Sequence, residues 1–371
     1  MVAVNPVRSA GTWGRAPLTL ALAAVAALLC EQLRVPLAWT LGPLLSTALA
    51  CSAGARLAIP PMLRNGGQWA IGTALGLHFT PLVLQQLLKL APALLAGVLW
   101  ALLLGALFYR LLLKQGGAPD RATAFFAGAI GSASEMAVLA ERHGGRVDRV
   151  AAAHSLRVLL VVATLPWGLQ LAGFHPLEAR AGMHALSPTL LALLCAATLC
   201  GALVLRRLGT PNPWVLGALI VSMALTGCGA VPEAVLPRPM TNAAQLVIGV
   251  SLGTRFTPEF LHAAPRWLAT VAAGTLGLLA ASAGFAWLLA QATGLMPAAV
   301  LLGNSPGGMA EMCITAQVLQ LGVPLVTAFH VMRYVAVLVL TGPLFVWAER
   351  RRRRLRREAP ATHSDFVSPL K

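Results

Sequence analysis

Gly303-Asn-Ser-Pro-Gly-Gly-Met-Ala-Glu-Met312 interrupts one apolar segment of this chain, and Gly128-Ala-Ile-Gly-Ser-Ala-Ser-Glu-Met136 interrupts another about half a chain earlier. Each break is followed by a histidine and an arginine three residues apart, His330 and Arg333 after the second, His154 and Arg157 after the first. The offset between Glu135, His154 and Arg157 and their counterparts Glu311, His330 and Arg333 is 176 residues at every position, with a Glu-to-His gap of 19 in both copies. These are nearly the only ionisable residues inside otherwise apolar stretches. An ionisable group within a bilayer is costly and marks function by default. A backbone break there is tolerated only where protein or a water cavity satisfies the freed polar groups.

Working outward, the copying extends over most of the chain. Pro36-Leu-Ala-Trp39-Thr-Leu41-Gly42 matches Pro211-Asn-Pro-Trp214-Val-Leu216-Gly217 at an offset of 175. Gln68-x-x-Ile71-Gly72-x-x-Leu75-Gly76-x-x-Phe79-Thr80-Pro81 matches Gln245-x-x-Ile248-Gly249-x-x-Leu252-Gly253-x-x-Phe256-Thr257-Pro258 at 177. Three blocks in one order at nearly constant offset define two repeats, residues 17–181 and 187–348, with a junction near Gly182 to Leu186. Residues 1–16 and 349–371 are short tails. The paired glycines at 72/76 and 249/253 are expected to let helices approach closely.

Composition sets the class. Hydrophobic residues make up 57% and charged residues 11% of the chain, and the mean hydropathy is +0.75. Soluble domains carry about 25% charged residues. Long apolar runs recur from Pro17 to Trp347, so the expected fold is an all-α polytopic membrane protein. The net charge of +16 owes much to Arg350 to Arg354, Arg356 and Arg357, just after the last apolar run. Beside a membrane end such a block reads as a cytoplasmic anchor on anionic lipid rather than a nucleic-acid surface. The six cysteines form no C-x-x-C and no metal-like spacing with histidine, and read as free thiols. The first apolar run is not read as a cleaved signal, because Leu28 and Leu29 precede Cys30 and a matching segment lies deep in the second repeat.

Each repeat offers six apolar segments: 17–33, 36–54, 65–80, 87–113, 119–140 and 150–172, then 188–205, 212–230, 242–256, 267–290, 297–318 and 325–347. If the fifth is re-entrant or broken and each repeat crosses five times, the basic loops gather on one side. Arg8/Arg15, Arg56/Arg64, Lys114/Arg121, Arg142/Arg146/Arg149, Arg206/Arg207, Arg255/Arg266 and the final block then all face the cytoplasm. Six crossings would put Arg142/Arg146/Arg149 and Arg206/Arg207 outside. The expectation is therefore about ten transmembrane helices, with both termini cytoplasmic. An odd count makes the repeats inverted, and inverted repeats with paired broken segments point to a midplane transport site.

The candidate substrate-binding or coupling residues are Glu135, His154, Arg157, Glu311, His330 and Arg333, with Ser132, Ser134, Asn304 and Ser305 at the breaks. A half-helix beginning at each break aims its N-terminal amides inward, a setting for an anion or a carboxylate. Glu135 and Glu311 lie in or near the first turn of these half-helices and can carry a coupling proton. Ser132-x-x-Glu135 also fits a capping box. In the second copy Gly308 stands where Ser132 does, and Asn304 and Ser305, with Pro306 after them, are alternative caps. Each His–Arg pair shares one helix face. Two roles compete for the arginines: bidentate contact to an anionic substrate, or an ion pair with the glutamate of the same repeat. The histidines can shuttle protons or hydrogen-bond to backbone.

Trp39-Thr-Leu-Gly-Pro-Leu44, Pro213-Trp-Val-Leu-Gly-Ala-Leu219, Gly131-Ser-Ala-Ser-Glu-Met136, Ser305-Pro-Gly-Gly-Met-Ala-Glu-Met312 and Ala328-Phe-His-Val-Met-Arg333 together resemble the AbrB-duplication membrane protein family. The resemblance covers almost the whole chain. It implies a bacterial inner-membrane protein, and similar proteins carry the labels "AbrB family transcriptional regulator" and "putative ammonia monooxygenase"; it supplies no site residues. Eight histidines scattered without H-x-H or H-x-x-x-H do not suit an oxygenase metal centre. No extramembrane segment exceeds about 25 residues, too little for the soluble basic module a DNA-binding regulator needs.

The resulting expectation is a non-enzymatic, cofactor-free secondary transporter of a small solute, leaning to an organic anion and coupled to protons or a cation. A membrane sensor acting indirectly on gene expression is the alternative. The expected partners are the lipid bilayer and a small-molecule solute, with no direct nucleic-acid contact; self-association into a homo-oligomer is left open. Reporter fusions at Gly145 and Gly322 are expected to read inside and outside respectively, and the same side for both would end the inverted-repeat reading.

Overall fold

The computed structural model describes residues 6–174, 184–258 and 265–358. The first half contains α1 (Pro6–Gln32), α2 (Ala38–Ser52), α3 (Pro61–Gly76), α4 (Pro81–Lys89), α5 (Ala91–Lys114), α6 (Arg121–Gly128), α7 (Ala133–Arg142) and α8 (Val147–Leu171). The second contains α9 (Pro188–Arg207), α10 (Pro213–Gly227), α11 (Arg238–Gly253), α12 (Pro265–Thr293), α13 (Pro297–Asn304), α14 (Met309–Val318) and α15 (Val323–Glu358). A two-residue parallel bridge joins His184–Ala185 to Ala234–Val235. The short helices around each break, α6/α7 and α13/α14, begin and end 176 residues apart. Backbone detail repeats too. Leu37 and Asn212, which precede α2 and α10, are both left-handed, with φ of 54° and 49°.

Among the described residues, six helices are long and apolar enough to cross a membrane: α1, α5, α8, α9, α12 and α15. A seventh span results if α3 and α4, which meet at 84°, count as one. The expectation of ten full-length crossings is thus met only in its coarser form, a helical multi-pass membrane protein. The physical reason is length. Helices of 15 or 16 residues, such as α2, α3, α10 and α11, rise about 22–24 Å at 1.5 Å per residue, against a hydrocarbon core of about 30 Å.

Two boundaries also differ from the sequence reading. Helix α1 begins at Pro6, inside the expected N-terminal tail, and α15 runs on to Glu358 through the arginine block. Arginine is a good helix former, and no glycine or proline falls between Trp347 and Glu358 to stop the helix. Glu349 pairs there with Arg352 and Arg353 at 3.7 Å, three and four residues on.

The helices sort into two bundles, and each draws on both halves of the chain. In one, α3 packs on α10, α11 on α2, α1 on α2 and α9 on α10. In the other, α5, α6, α7 and α8 pack with α12, α13, α14 and α15. Contact between the bundles is sparse and runs mainly from α3 to α14 and α15, and from α4 to α10 and α15. The glycine pairs make the first bundle tight. A Cβ at Gly72 would overlap the Val215 carbonyl oxygen, and one at Gly249 would stand 2.5 Å from that of Thr40. The close approach expected at these glycines is present, and in each case the partner helix comes from the other half of the chain.

The loop contacts sort into two sets at opposite ends of the helices. In one set, Ala58 N–H donates to Thr19 Oγ1 at 3.3 Å, Ser52 Oγ to Phe256 O at 3.3 Å, Trp267 Nε1 to Arg149 O at 3.2 Å, and Arg266 Nε to Gln115 O at 3.2 Å. In the other, His78 lies 3.8 Å from Glu233, Trp39 Nε1 donates to Glu31 at 3.2 Å, and the β bridge joins the approaches to α9 and α11. Helices α6 and α7 leave and return at the first end. Arg146 N–H, between α7 and α8, donates to Thr123 Oγ1 in the first turn of α6 at 2.7 Å, and the His143 and Phe126 rings lie 5.4 Å apart. Helices α13 and α14 do the same at the other end, where a Cβ on Gly322 would lie 3.8 Å from that of Ala299.

Replacing Gly249 by Val is expected to lower thermal stability in detergent by about 1–3 kcal/mol or more, the usual cost of overpacking. Gly277→Ala, in α12, where an added Cβ meets nothing within 4 Å, is expected to leave the melting temperature unchanged or slightly raised.

Candidate functional site

Ending α6 and α13 inside the protein leaves their last carbonyls without intrahelical donors. A His–Arg pair supplies the donors in each half. His154 Nε2 meets Phe126 O at 3.0 Å, and its Nδ1 meets Arg157 Nη2 at 2.8 Å. Arg157 then donates to Ala127 O at 3.3 Å and to Ala129 O at 3.0 Å. In the second half, His330 Nε2 meets Leu302 O at 3.0 Å and Nδ1 meets Arg333 Nη2 at 2.7 Å. Arg333 donates to Ser305 O at 2.5 Å and to Gly307 O at 3.1 Å. Arginine has no acceptor, so Nδ1 must accept and Nε2 must carry the proton that goes to the carbonyl. Both histidines are therefore the neutral Nε2–H tautomer, wedged between a carbonyl and a guanidinium. With both ring nitrogens so engaged, neither shuttles a proton without breaking the clamp.

This arrangement differs from the ion-pair role foreseen for the arginines. Among the described residues neither Arg157 nor Arg333 forms an ion pair with Glu135 or Glu311. Their partners are backbone carbonyls, which a list of charged side chains does not contain. The capping expectations are corrected as well. Ser132 does stand at the N-cap of α7, but its side chain makes no cap bond; its Oγ lies 3.1 Å from Ser134 Oγ. Asn304 and Ser305 close α13 instead of opening α14, with Asn304 Nδ2 donating to Val300 O at 2.9 Å and Ser305 Oγ to Leu302 O at 2.9 Å. The N-cap of α14 is Gly308.

Both breaks reach one cavity of about 660 Å³. Gly131 to Ser134 of the first hairpin and Pro306 to Glu311 of the second line it together with His154, Arg157, His330 and Arg333. Seven of the ten residues singled out from sequence thus meet there. Asn304 and Ser305 lie behind the second tip. Glu135 is half-buried and outside the lining, whereas its counterpart Glu311 is 8% exposed and inside it. The opposite wall comes from the first bundle: Arg64 and Gln68 of α3, Ile248, Ser251 and Leu252 of α11, Asn212, and Thr254, Arg255 and Thr257. The cavity therefore lies between the two bundles, where they touch least.

Sequence reading missed Arg64 and Arg255 as site residues, having used them only to orient the loops. Arg255 Nη1 donates to Ser155 Oγ at 3.4 Å and acts electrostatically on Glu311. A signal was present, since Arg255 falls inside the duplicated glycine block where the first copy has His78. With Arg64, Arg157, Arg255 and Arg333 against Glu311 and Asp148, the lining is net cationic. Among the described residues no three His, Cys, Asp or Glu side chains are grouped to hold a metal ion.

The fold and site define a helical membrane protein with two internally clamped hairpins that share a cationic cavity. A family profile described as "Transition state regulatory protein AbrB" matches residues 39–349, and the chain belongs to this AbrB family. The chain is similar to the Escherichia coli (strain K12) protein named "Putative regulator AbrB", at 31% identity over 83% of this chain and 89% of that one. It is also similar to "Uncharacterized protein YhjN" of Bacillus subtilis (strain 168), at 26% identity over 75% of this chain and 77% of that one.

Arg333→Met would leave two buried carbonyls and a histidine nitrogen without a donor. At about 1–3 kcal/mol for each unsatisfied group, the variant is expected to lose roughly 3 kcal/mol or more in thermal unfolding without ligand. Arg64→Met, at an exposed position on the cavity wall, is expected to stay within about 0.5 kcal/mol of wild type. Equal stability of the two variants would remove the clamp from the account.

Proposed function

We propose that the protein is a bacterial inner-membrane secondary transporter of a small solute, preferring an organic anion, with the cavity between the bundles as its binding site. The observation that carries this reading is the convergence of two hairpin tips, distant in sequence, on a single cationic cavity. A structural scaffold has no need of interrupted helices that meet at a cavity. Broken segments are tolerated where they line a water-filled path, and paired ones mark the binding site in duplicated transporters.

The reading includes inverted halves, each crossing five times. The sorting of loop contacts supports it. The start of α3 lies with the end of α11, through the Ala58–Thr19 and Ser52–Phe256 contacts, so these counterparts run in opposite directions. Likewise the end of α15 lies with the end of α7, where the Phe345 and His143 rings are 5.0 Å apart. The cavity wall includes Arg64, Asp148, Asn212, Thr254, Arg255 and Thr257, all at the end of the molecule that carries the basic loops. By the positive-inside rule that end is cytoplasmic, so this conformation faces the cytoplasm. Sparse contact between the bundles favours alternating access by displacement of the hairpin bundle against the other, with the His–Arg clamps keeping each hairpin intact as it moves. Glu311, buried and lining the cavity, is the better placed of the two glutamates to carry a coupling proton.

The relative named as a putative regulator favours a second reading, in which solute occupancy is sensed and passed to another protein without transport. Reconstituted vesicles separate the two. Under the transport reading, a pH-sensitive dye inside proteoliposomes reports proton flux on addition of organic anions, and Glu311→Gln reduces that flux at least tenfold while the protein stays folded. Solute binding without flux across a broad panel would favour the sensor.

A further inference from the structure

The two hairpins match in length and clamp but differ at one atom of their caps, and that difference points to a ligand. At the second hairpin the carboxylate of Glu311 folds back against Gly308, the N-cap of α14. It can do so because residue 308 is glycine. A Cβ built at Gly308 would collide with Glu311 Oε2. At the first hairpin the corresponding residue is Ser132, whose Cβ occupies that space, and Glu135 lies outside the cavity lining. Glu135 lies in the first turn of α7, a ten-residue helix, but outside the cavity lining, so no carboxylate of this helix faces the cavity. The N–H of Met136 is bonded to Ser132 O. The preceding amides, those of Ala133, Ser134 and Glu135, belong to the group with no acceptor inside the helix.

A second observation lies beside this helix start. Arg157 is 1% exposed and lines the cavity, and its Nε–H has no hydrogen-bond partner. Among the described residues, no side-chain nitrogen of Arg333 is left in that state. A buried guanidinium N–H without an acceptor is costly. The first half thus keeps one buried guanidinium N–H in need of an acceptor beside the cavity.

We infer that the start of α7, with the Ser132 and Ser134 hydroxyls and the Arg157 guanidinium, is a binding site for the carboxylate group of a small organic acid, which takes there the position that Glu311 takes at the start of α14. Carboxylate is favoured over phosphate or sulfate because the group already seated at the equivalent helix start is a carboxylate. Helix amides and a guanidinium only donate, and the two hydroxyls can donate as well, a set suited to an anion. Arg255 and Arg64 on the opposite wall leave room for a second acidic group. This deepens the transport reading by naming the substrate class at the same cavity, and it rests on that reading only for the fate of the bound acid.

The asymmetry supplies its own test. Purified protein in detergent is titrated calorimetrically with sodium acetate and sodium succinate, with acetamide as the neutral control. The acids are expected to bind and acetamide to be silent. Ser132→Gly removes the Cβ that keeps Glu135 from folding back, so the internal carboxylate competes for the site and affinity for the acids falls at least tenfold. The double variant Ser132→Gly/Glu135→Gln removes the competitor and is expected to restore affinity to within about threefold of wild type. Failure of both acids to bind the wild type would overturn the inference. So would an unchanged affinity in Ser132→Gly, or a double variant as weak as the single one. Rescue by the double variant also shows that the single variant is folded. If this pattern appears while vesicles move no solute, the transport reading falls and the carboxylate site stands. If vesicles move neutral solutes and no acid binds, the carboxylate site falls alone.

Discussion

An interrupted helix within a membrane protein leaves carbonyls on one side of the break and amides on the other, and water is not freely available to satisfy either. In this protein the carbonyl side is met by His154 with Arg157 and by His330 with Arg333. One residue pair, three apart on a single helix face, does two jobs. It neutralises the partial negative charge at the ends of α6 and α13, and it ties each hairpin to the long helix that follows. The histidine sets the arginine's angle, because its ring accepts from the guanidinium on one edge and donates to a carbonyl on the other. Once these ends are fixed, the hairpin tips stay inside the protein, and the cavity between the bundles has a defined floor.

The amide side of each break is handled differently in the two halves, and this gives the cavity its chemical asymmetry. Glycine at 308 admits the Glu311 carboxylate onto its own helix start. Serine at 132 does not allow the same fold-back. Two identical hairpins would present two equivalent tips. A change of one side chain sets a carboxylate against one tip, while the other tip brings no carboxylate to the cavity. The net cationic wall completed by Arg64 and Arg255 strengthens that bias, since charges act over longer range in a site walled by apolar helices.

The bundle arrangement follows from a separate constraint. Helices of 15 or 16 residues cannot span by themselves, but they pack closely when glycine replaces larger side chains at the crossing. Gly72 and Gly76 bring α3 onto α10, and Gly249 and Gly253 bring α11 onto α2. Neither half of the chain can fold its short helices without the other, so the two copies form one interlocked bundle. The hairpin bundle, by contrast, is held by aromatic and aliphatic packing around Phe108, Phe126 and Trp267. It meets its neighbour over a limited surface, which suits a pair of bodies that move relative to each other.

The sequence by itself determined the class, and it marked two similar blocks of ionisable residues within apolar segments. Apolar runs separated by basic loops are enough to call a multi-pass helical protein, and the interrupted segments 119–140 and 297–318 marked where α6/α7 and α13/α14 lie, though not their ends. The breaks and the paired His–Arg residues were legible because polar groups in apolar segments stand out. What the polar groups bond to was decided by tertiary structure alone. Arg157 and Arg333 take backbone carbonyls, which every residue possesses and no residue code marks, in place of the glutamates that charge complementarity suggested. Arg64 and Arg255 enter the cavity only because the start of α3 and the end of α11 fold against the hairpins, a contact between elements far apart in the chain. The divergence of Glu135 from Glu311 was also latent in the sequence, as Ser132 against Gly308. It acquired meaning only when the space a Cβ would need was found to be filled by a carboxylate.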